Sequence, residues 1–108
     1  MRNSALWLVS LASKARKISV GALACQRALQ KGSADIIIAA NDAADNTKKK
    51  FKNSCMYYGA EFYQYSTKEE LSHYTGKENV SVLAVCDKNF AAGIKKAVLK
   101  NESVNNQK

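Results

Sequence analysis

Arg16-Lys17-Ile18-Ser19-Val20-Gly21-Ala22-Leu23-Ala24-Cys25-Gln26-Arg27-Ala28-Leu29-Gln30-Lys31-Gly32 is the stretch on which the fold turns. Ile18 and Val20 alternate with Ser19, the pattern of a half-buried strand. Gly21 supplies the backbone freedom required where a strand turns sharply into a helix. From Ala22 to Lys31 the residues Ala22, Cys25, Ala28 and Leu29 share one helical face, and Gln26, Arg27, Gln30 and Lys31 fill the other. The start of this helix exposes unpaired backbone N–H groups and the positive end of its dipole, a natural anion site. Arg16, Lys17, Arg27 and Lys31 lie close to it in sequence, so phosphate is the expected anion. Leu23 breaks the pattern, because one turn before Arg27 it places a large apolar side chain on or beside the basic face.

Outward from this stretch the apolar pattern alternates between helical and strand periods. On the N-terminal side, Asn3 or Ser4 can cap a helix to about Lys14, with Leu8, Leu11, Ala12 and Ala15 at helical spacing. Trp7 beside that stripe reads as core, with base stacking as the alternative. On the C-terminal side, Asp35-Ile36-Ile37-Ile38-Ala39-Ala40 is apolar throughout, as expected of a central strand buried on both faces. Asn41 to Ala44 then forms a loop at its carboxyl end, a usual place for function in open α/β sheets.

Asp45 or Thr47 is expected to cap a third helix to about Tyr58, with Phe51, Cys55 and Tyr58 facing inward. Lys48, Lys49, Lys50 and Lys52 crowd its first turns, where cations oppose the dipole; they read as a solvated charge run or as a second nucleic-acid contact. Gly59 is a C-cap, Glu61 to Tyr65 alternates like a strand, and Thr67-x-x-Glu70 is a capping box opening a short helix with Leu71 and Tyr74 inside. Gly76 to Asn79 is a polar loop, Val80 to Cys86 another apolar strand, and Asp87 the cap of a last helix carrying Phe90, Ile94, Ala97 and Val98.

A chain of 108 residues suits one domain, which at this size buries roughly two-thirds of its unfolded surface without staples. That domain is expected over residues 1–100, with 101–108 a frayed polar tail. The formal net charge is +8, which points to nucleic acid or an anionic membrane surface. The excess is local: the first 34 residues hold Arg2, Lys14, Arg16, Lys17, Arg27 and Lys31 and no acidic residue. The apolar run Leu6 to Ala12 is short and followed at once by cations, and no run approaches the roughly 20 residues that span a bilayer, so no membrane partner is expected. Cys25, Cys55 and Cys86 include no close pair, which favours buried, reduced thiols in a cytoplasmic protein.

No Walker loop, dinucleotide fingerprint, metal-ligand cluster or paired carboxylates in a distinctive context occur. His73 has no nucleophile to serve. The chain is therefore not expected to be an enzyme or to carry a cofactor or metal.

Several separate motifs together resemble one family. They are Ala12-Ser13-Lys14-Ala15-Arg16-Lys17-Ile18-Ser19-Val20-Gly21, Lys31-Gly32-x-Ala34-Asp35-Ile36-Ile37-Ile38-Ala39, and Asn41-Asp42-Ala43-x-x-Asn46-Thr47-Lys48-Lys49-Lys50. Lys68-x-Glu70-Leu71-Ser72-His73-Tyr74-x-Gly76-Lys77-Glu78 and Ala84-Val85-x-Asp87-x-x-Phe90-Ala91 complete the set. In this order the chain to about Leu99 resembles the kink-turn RNA-binding ribosomal proteins of the "L seven Ae" type, especially their small bacterial YlxQ-type branch. The resemblance implies a three-layer α-β-α sandwich around a four-stranded mixed sheet, and RNA binding without catalysis.

In such proteins a Gly-x-Asn-Glu-x-x-Lys signature opens the RNA-binding helix, its Asn and Glu reading sheared G·A pairs. Here Gly21 and Arg27 match the Gly and Lys positions and Lys17 a preceding basic position, but Leu23 and Ala24 stand at the Asn and Glu positions. These two side chains cannot make the polar base contacts, so the expected site grips phosphate without reading sequence. Lys77 and Asn79 fall in a loop equivalent to one that touches RNA in the family. The expected interface is Arg16, Lys17, Gly21, Ala22, Leu23, Arg27 and Lys31, with Asn41, Lys48, Lys77 and Asn79. Its expected partner is a structured RNA, ribosomal or kink-turn-like, bound by a chain that is monomeric when free. The alternative is a protein-interaction module in which Leu23 anchors a ribosomal or other protein partner.

Overall fold

Ile36 to Ala39 is apolar at every position because helices cover both of its faces. The computed structural model describes residues 4–106, with side chains through residue 100. Its elements are α1 (Ser4–Lys14), β1 (Ile18–Val20), α2 (Ala22–Lys31), β2 (Ile36–Ala39), α3 (Asp45–Tyr58), β3 (Glu61–Gln64), α4 (Lys68–Thr75), β4 (Val82–Val85) and α5 (Lys88–Asn106). The strands form one sheet in the order β1-β4-β2-β3, with β2 and β3 parallel and the other two pairs antiparallel. The fold is a three-layer α-β-α sandwich around a four-stranded mixed sheet.

The register sorts the core into two halves through the period-2 alternation of strand side chains. Ile36 opposes Val85 and Ile38 opposes Leu83; these residues pack against Ala5, Leu6 and Val9 of α1, Leu71 of α4 and Ile94 and Val98 of α5. Ile37 opposes Ala84 and Ala39 opposes Val82; they face Cys25, Ala28 and Leu29 of α2 and Phe51 and Cys55 of α3. α2 and α3 therefore lie side by side on one face, with α1, α4 and α5 on the other.

Several expectations from the sequence are corrected. The buried residues of α1 are Ala5, Leu6, Val9 and Ala12, a different phase from Leu8, Leu11, Ala12 and Ala15, and Trp7 is 53% exposed. A helix apolar on almost every side does not declare its inward face; packing of α1 against α4 and α5 chooses it. Ala22 is exposed rather than inward. The residue capping α3 is Ala44, with no side-chain bond, instead of Asp45 or Thr47.

Tyr58 is 40% exposed although it is in phase with Phe51. α3 has 14 residues against four in β2, roughly 21 Å against 13 Å. Its last turn projects beyond the sheet. Thr67 accepts a hydrogen bond from the Glu70 backbone N–H at 3.1 Å, but the Glu70 carboxylate accepts from the Ser66 hydroxyl at 2.6 Å, so the capping box is half formed. β4 is confined to Val82–Val85, shorter than Val80 to Cys86. Asp87 caps α5 as expected, accepting from the Phe90 N–H at 3.0 Å. The backbone of 101–106 continues α5; Arg2, Asn3 and the last two residues of the polar tail lie outside the described residues.

Candidate nucleic-acid interface

Gly21 sits at φ 98 and ψ 158, with positive φ outside the left-handed helical well, a conformation open essentially to glycine alone. From there its N–H donates to the Val82 carbonyl at 3.0 Å, and its own carbonyl accepts the first helical bond of α2 from Cys25 at 2.9 Å. The residue thus ends a strand ladder and begins a helix in one step. No side chain caps α2, and none caps α3. The strands before both helices end on the same side of the sheet, since Val20 pairs with Leu83 and Ala39 with Val82. Two uncapped, electropositive helix ends therefore lie next to each other.

The loops join at this same end. Ala40 N–H donates to Ser81 O at 2.8 Å and Asn41 N–H to Ser66 O at 2.8 Å. Asn41 is thus about two strand spacings, roughly 10 Å, from Gly21. The loop carrying Lys77 and Asn79 is tied back to α4 by Lys77 N–H to Ser72 O and by Val80 N–H to the Ser72 hydroxyl, and it feeds β4 at this end. Asn79 has φ 57. Lys48 is the candidate whose charge already has local partners: its Nζ donates to the Asn41 carbonyl at 3.0 Å and lies 3.6 Å from Asp45. It acts as a clip that holds the Asn41 loop onto α3.

Arg16 and Lys17 occupy the other end. The Cys86 N–H donates to the Lys17 carbonyl at 2.7 Å, which places Lys17 about 13 Å along the strand direction from Gly21. Arg16 is at φ 63, where it closes α1: its N–H donates to Ser13 O and the Lys17 N–H to Ala12 O, the Schellman pattern usually completed by glycine. Lys31 is also at this end, since α2 runs back along β1 from Gly21 and closes at Gly32. The sequence neighbourhood of Gly21 therefore unfolds into a ridge rather than a cluster. Leu23, Arg27 and Lys31 succeed one another at i, i+4 and i+8, all exposed. By strand alternation Lys17 shares the α2 face with Ser19, because Ile18 and Val20 pack on the opposite half of the core. The ridge is basic for most of its length and apolar at its upper end, where Leu23 is 65% exposed.

Beneath the ridge the buried thiols are held in the protonated form. Burial pushes the Cys25 thiol up to about 12, with the neighbouring Cys86 and Cys55 adding to the effect, and burial raises Cys55 to about 11. All three cysteines are free. Among the described residues no three His, Cys, Asp or Glu side chains converge on a metal-sized point, and no helix is long and apolar enough to cross a membrane. His73 is exposed and meets Tyr74 edge-on at 5.1 Å. Trp7 is exposed on the layer opposite α2 and α3, away from the ridge. Sequence reading missed the length of the ridge, although its i, i+4, i+8 spacing was visible.

The profile of the Ribosomal protein L7Ae/L30e/S12e/Gadd45 family matches residues 4–95. The chain belongs to this family. Within the L7Ae group, it is 31% identical over 97 residues to the RNA-binding protein YlxQ of Enterococcus faecium, covering 90% of this chain and 93% of that relative. It is 32% identical over 84 residues to the RNA-binding protein YlxQ of Bacillus subtilis, covering 78% and 84% respectively. A Bacillus halodurans protein of solved structure superposes with a TM-score of 0.86 at 27% identity, covering 90% of this chain and 98% of that one. The Giardia lamblia 15.5kD RNA binding protein shares the fold with a TM-score of 0.74 at 20% identity, covering 91% and 84%. The L7Ae-family fold expected from the sequence motifs is the fold observed.

Proposed function

We propose that this protein is a noncatalytic RNA-binding protein that holds the phosphate backbone of a structured RNA, ribosomal or kink-turn-like, along the α2 ridge. The observation that carries this reading is the continuity of one exposed surface: the uncapped start of α2 at Gly21 and Ala22, then Arg27 and Lys31, with Lys17 alongside. Arg16 flanks its lower end, and Asn41, Lys77 and Asn79 offer hydrogen-bonding groups beyond the upper end. Cations on a surface this open bind phosphate mainly by releasing counterions, which supplies affinity with little sequence information. Three unpaired thiols suit a reducing, cytoplasmic setting. The free protein is taken to be a monomer, with RNA as its partner.

The test is binding to a structured RNA across a salt series. Arg27→Ala and Lys17→Ala should each weaken binding and make the slope of log affinity against log salt shallower by about 0.7–0.9 for each phosphate no longer neutralised. Wild-type slopes and affinities in both variants would overturn the proposed site. Leu23→Asn with Ala24→Glu should raise preference for a kink-turn over a plain duplex, because those side chains restore polar groups where the family signature has them.

Leu23 supports a second reading, since it is the one large apolar side chain on the ridge. In that reading it anchors a partner protein while the surrounding charge steers the encounter. Leu23→Asp would then abolish a specific protein complex and leave RNA affinity almost unchanged. Loss of RNA binding in the same variant would remove this alternative.

A further inference from the structure

Lys49 and Lys52 lie on the side of α3 away from α2, one turn apart, and with Asp45, Lys48, Asn53 and Gln64 they line an open groove of about 610 Å³ beside the end of β3. Its only carboxylate, Asp45, is 3.6 Å from the Lys48 ammonium. Neither Lys49 nor Lys52 forms an ion pair among the described residues. Local stability does not explain this arrangement: Lys49 and Lys52 stand in the second and third turns of α3, past the terminal turn in which the helix dipole acts, and gain neither a dipole interaction nor an ion pair there. Edge protection does not explain it either: lysine over an edge strand discourages strand pairing, but that requires no convergence on a cleft containing two side-chain amides. A second cavity, beside the start of β3, shows the contrast. It is lined by both Lys95 and Glu61, which neutralise each other at 2.9 Å.

We propose that this α3–β3 groove is a second RNA-backbone site, in which Lys49 and Lys52 bind phosphate and Asn53 and Gln64 hydrogen-bond to phosphate or ribose. The proposal rests on the RNA-binding reading and extends it from one binding surface to two. α3 lies between the groove and the α2 ridge, so at the usual helix spacing of about 8–10 Å the two are on the order of 20 Å apart. At roughly 3 Å per base pair, an RNA confined to the ridge does not reach the groove, whereas one extended by ten base pairs does. The groove opens beside α3's uncapped start, at the same end of the sheet as Gly21, so a single RNA crossing that end meets both. Lys48, clipped to Asn41, fixes the helix between them.

The experiment uses the full chain and two probes: a kink-turn-containing RNA hairpin and the same hairpin with its stem lengthened by ten base pairs. Wild-type protein should bind the longer probe more tightly, with a salt slope steeper by about 1.4–1.8 for two further phosphates neutralised. Lys49→Gln with Lys52→Gln should abolish that increment and leave binding to the short probe nearly intact. The control variant, Lys96→Gln with Lys100→Gln, removes two charges from exposed positions of α5 in the opposite layer and should retain the increment.

Equal losses in the two double variants would overturn the groove, assigning the effect to net charge. An absent increment with wild-type protein, despite binding of the short probe, would overturn the groove while sparing the ridge. No binding of either probe would instead defeat the RNA-binding reading itself. Vesicles of phosphatidylserine and phosphatidylcholine form a last arm: vesicle binding lost in Lys49→Gln/Lys52→Gln, with the RNA increment unchanged, would reassign the groove to a membrane surface.

Discussion

Replacing Gly21 by alanine isolates the backbone geometry at the start of the ridge. A Cβ placed there would have nothing within 4 Å, so packing opposes the change nowhere and the penalty comes from φ 98 and ψ 158 alone. A conformation of this kind costs a non-glycine residue about 1–3 kcal/mol. Alanine also stiffens the unfolded chain, which returns about 0.4–1 kcal/mol. The net expectation is a loss of roughly 1–2 kcal/mol, or about 5–15 °C in Tm for a domain of this size.

Gly32→Ala is the matched control. Its φ 76 and ψ 15 lie in the left-handed helical well, and among the described residues the non-glycine Arg16, Ser66 and Asn79 also have positive φ. Gly32→Ala should therefore cost less. Urea denaturation followed by circular dichroism measures both. If Gly21→Ala destabilises no more than Gly32→Ala, the assignment of a glycine-only conformation to the strand-to-helix switch is wrong. If the strain is instead relieved by releasing the Gly21 N–H from Val82, RNA affinity should fall along with stability.

Arg16→Gly should stabilise the fold by roughly 0.5–1 kcal/mol, since relief of about 1–2 kcal/mol of left-handed strain exceeds the added freedom of the unfolded chain; thermal melting measures the gain and RNA titration any loss of a cation from the interface. The Lys95 side chain, 2.9 Å from Glu61, and the Tyr63 hydroxyl hold the Glu61 carboxyl below its ordinary 4.5. Stability from this lowered value is present above pH 4.5 and is lost as pH falls through the folded-state value. Lys95→Ala should therefore cost at most about 0.5 kcal/mol at pH 7, because the pair is solvent-screened, and its difference from wild type should shrink in urea melts below pH 4.5. Iodoacetamide at pH 8, read by mass spectrometry, should modify half-buried Cys86 first. Cys25 and Cys55, held as buried thiols, should react only on unfolding.

The sequence reveals most where a period and a stop signal coincide. Gly21 and Gly32 bracket α2 at its observed limits, and the unbroken apolar run from Ile36 marks the strand covered on both faces. The phase of α1 was not legible, because Ala5, Leu6, Trp7, Leu8 and Val9 are apolar in succession and only tertiary packing selects among them. Tyr58 misleads for a different reason: helical phase says which way a side chain points, but not that the sheet ends before the helix does. The candidate site was legible as a set of residue types and only partly as a place. Arg16 and Lys17 are near Gly21 in number, yet a strand carries them to the far end of the sheet. Lys48 reads as one of a run of like cations until its ammonium is seen bound to Asn41.

The hydrogen bond from Gly21 to Val82 has a thermodynamic consequence. It ties the start of α2 to the β4 ladder, so the backbone of the proposed binding surface is formed before any partner arrives and loses little conformational entropy when one does. Adjustment then falls to the RNA. On the proposed phosphate-gripping surface, its capacity to bend onto that frame, rather than the identity of its bases, would become the quantity selected. Differences in affinity between RNAs should accordingly follow the free energy of deforming each one.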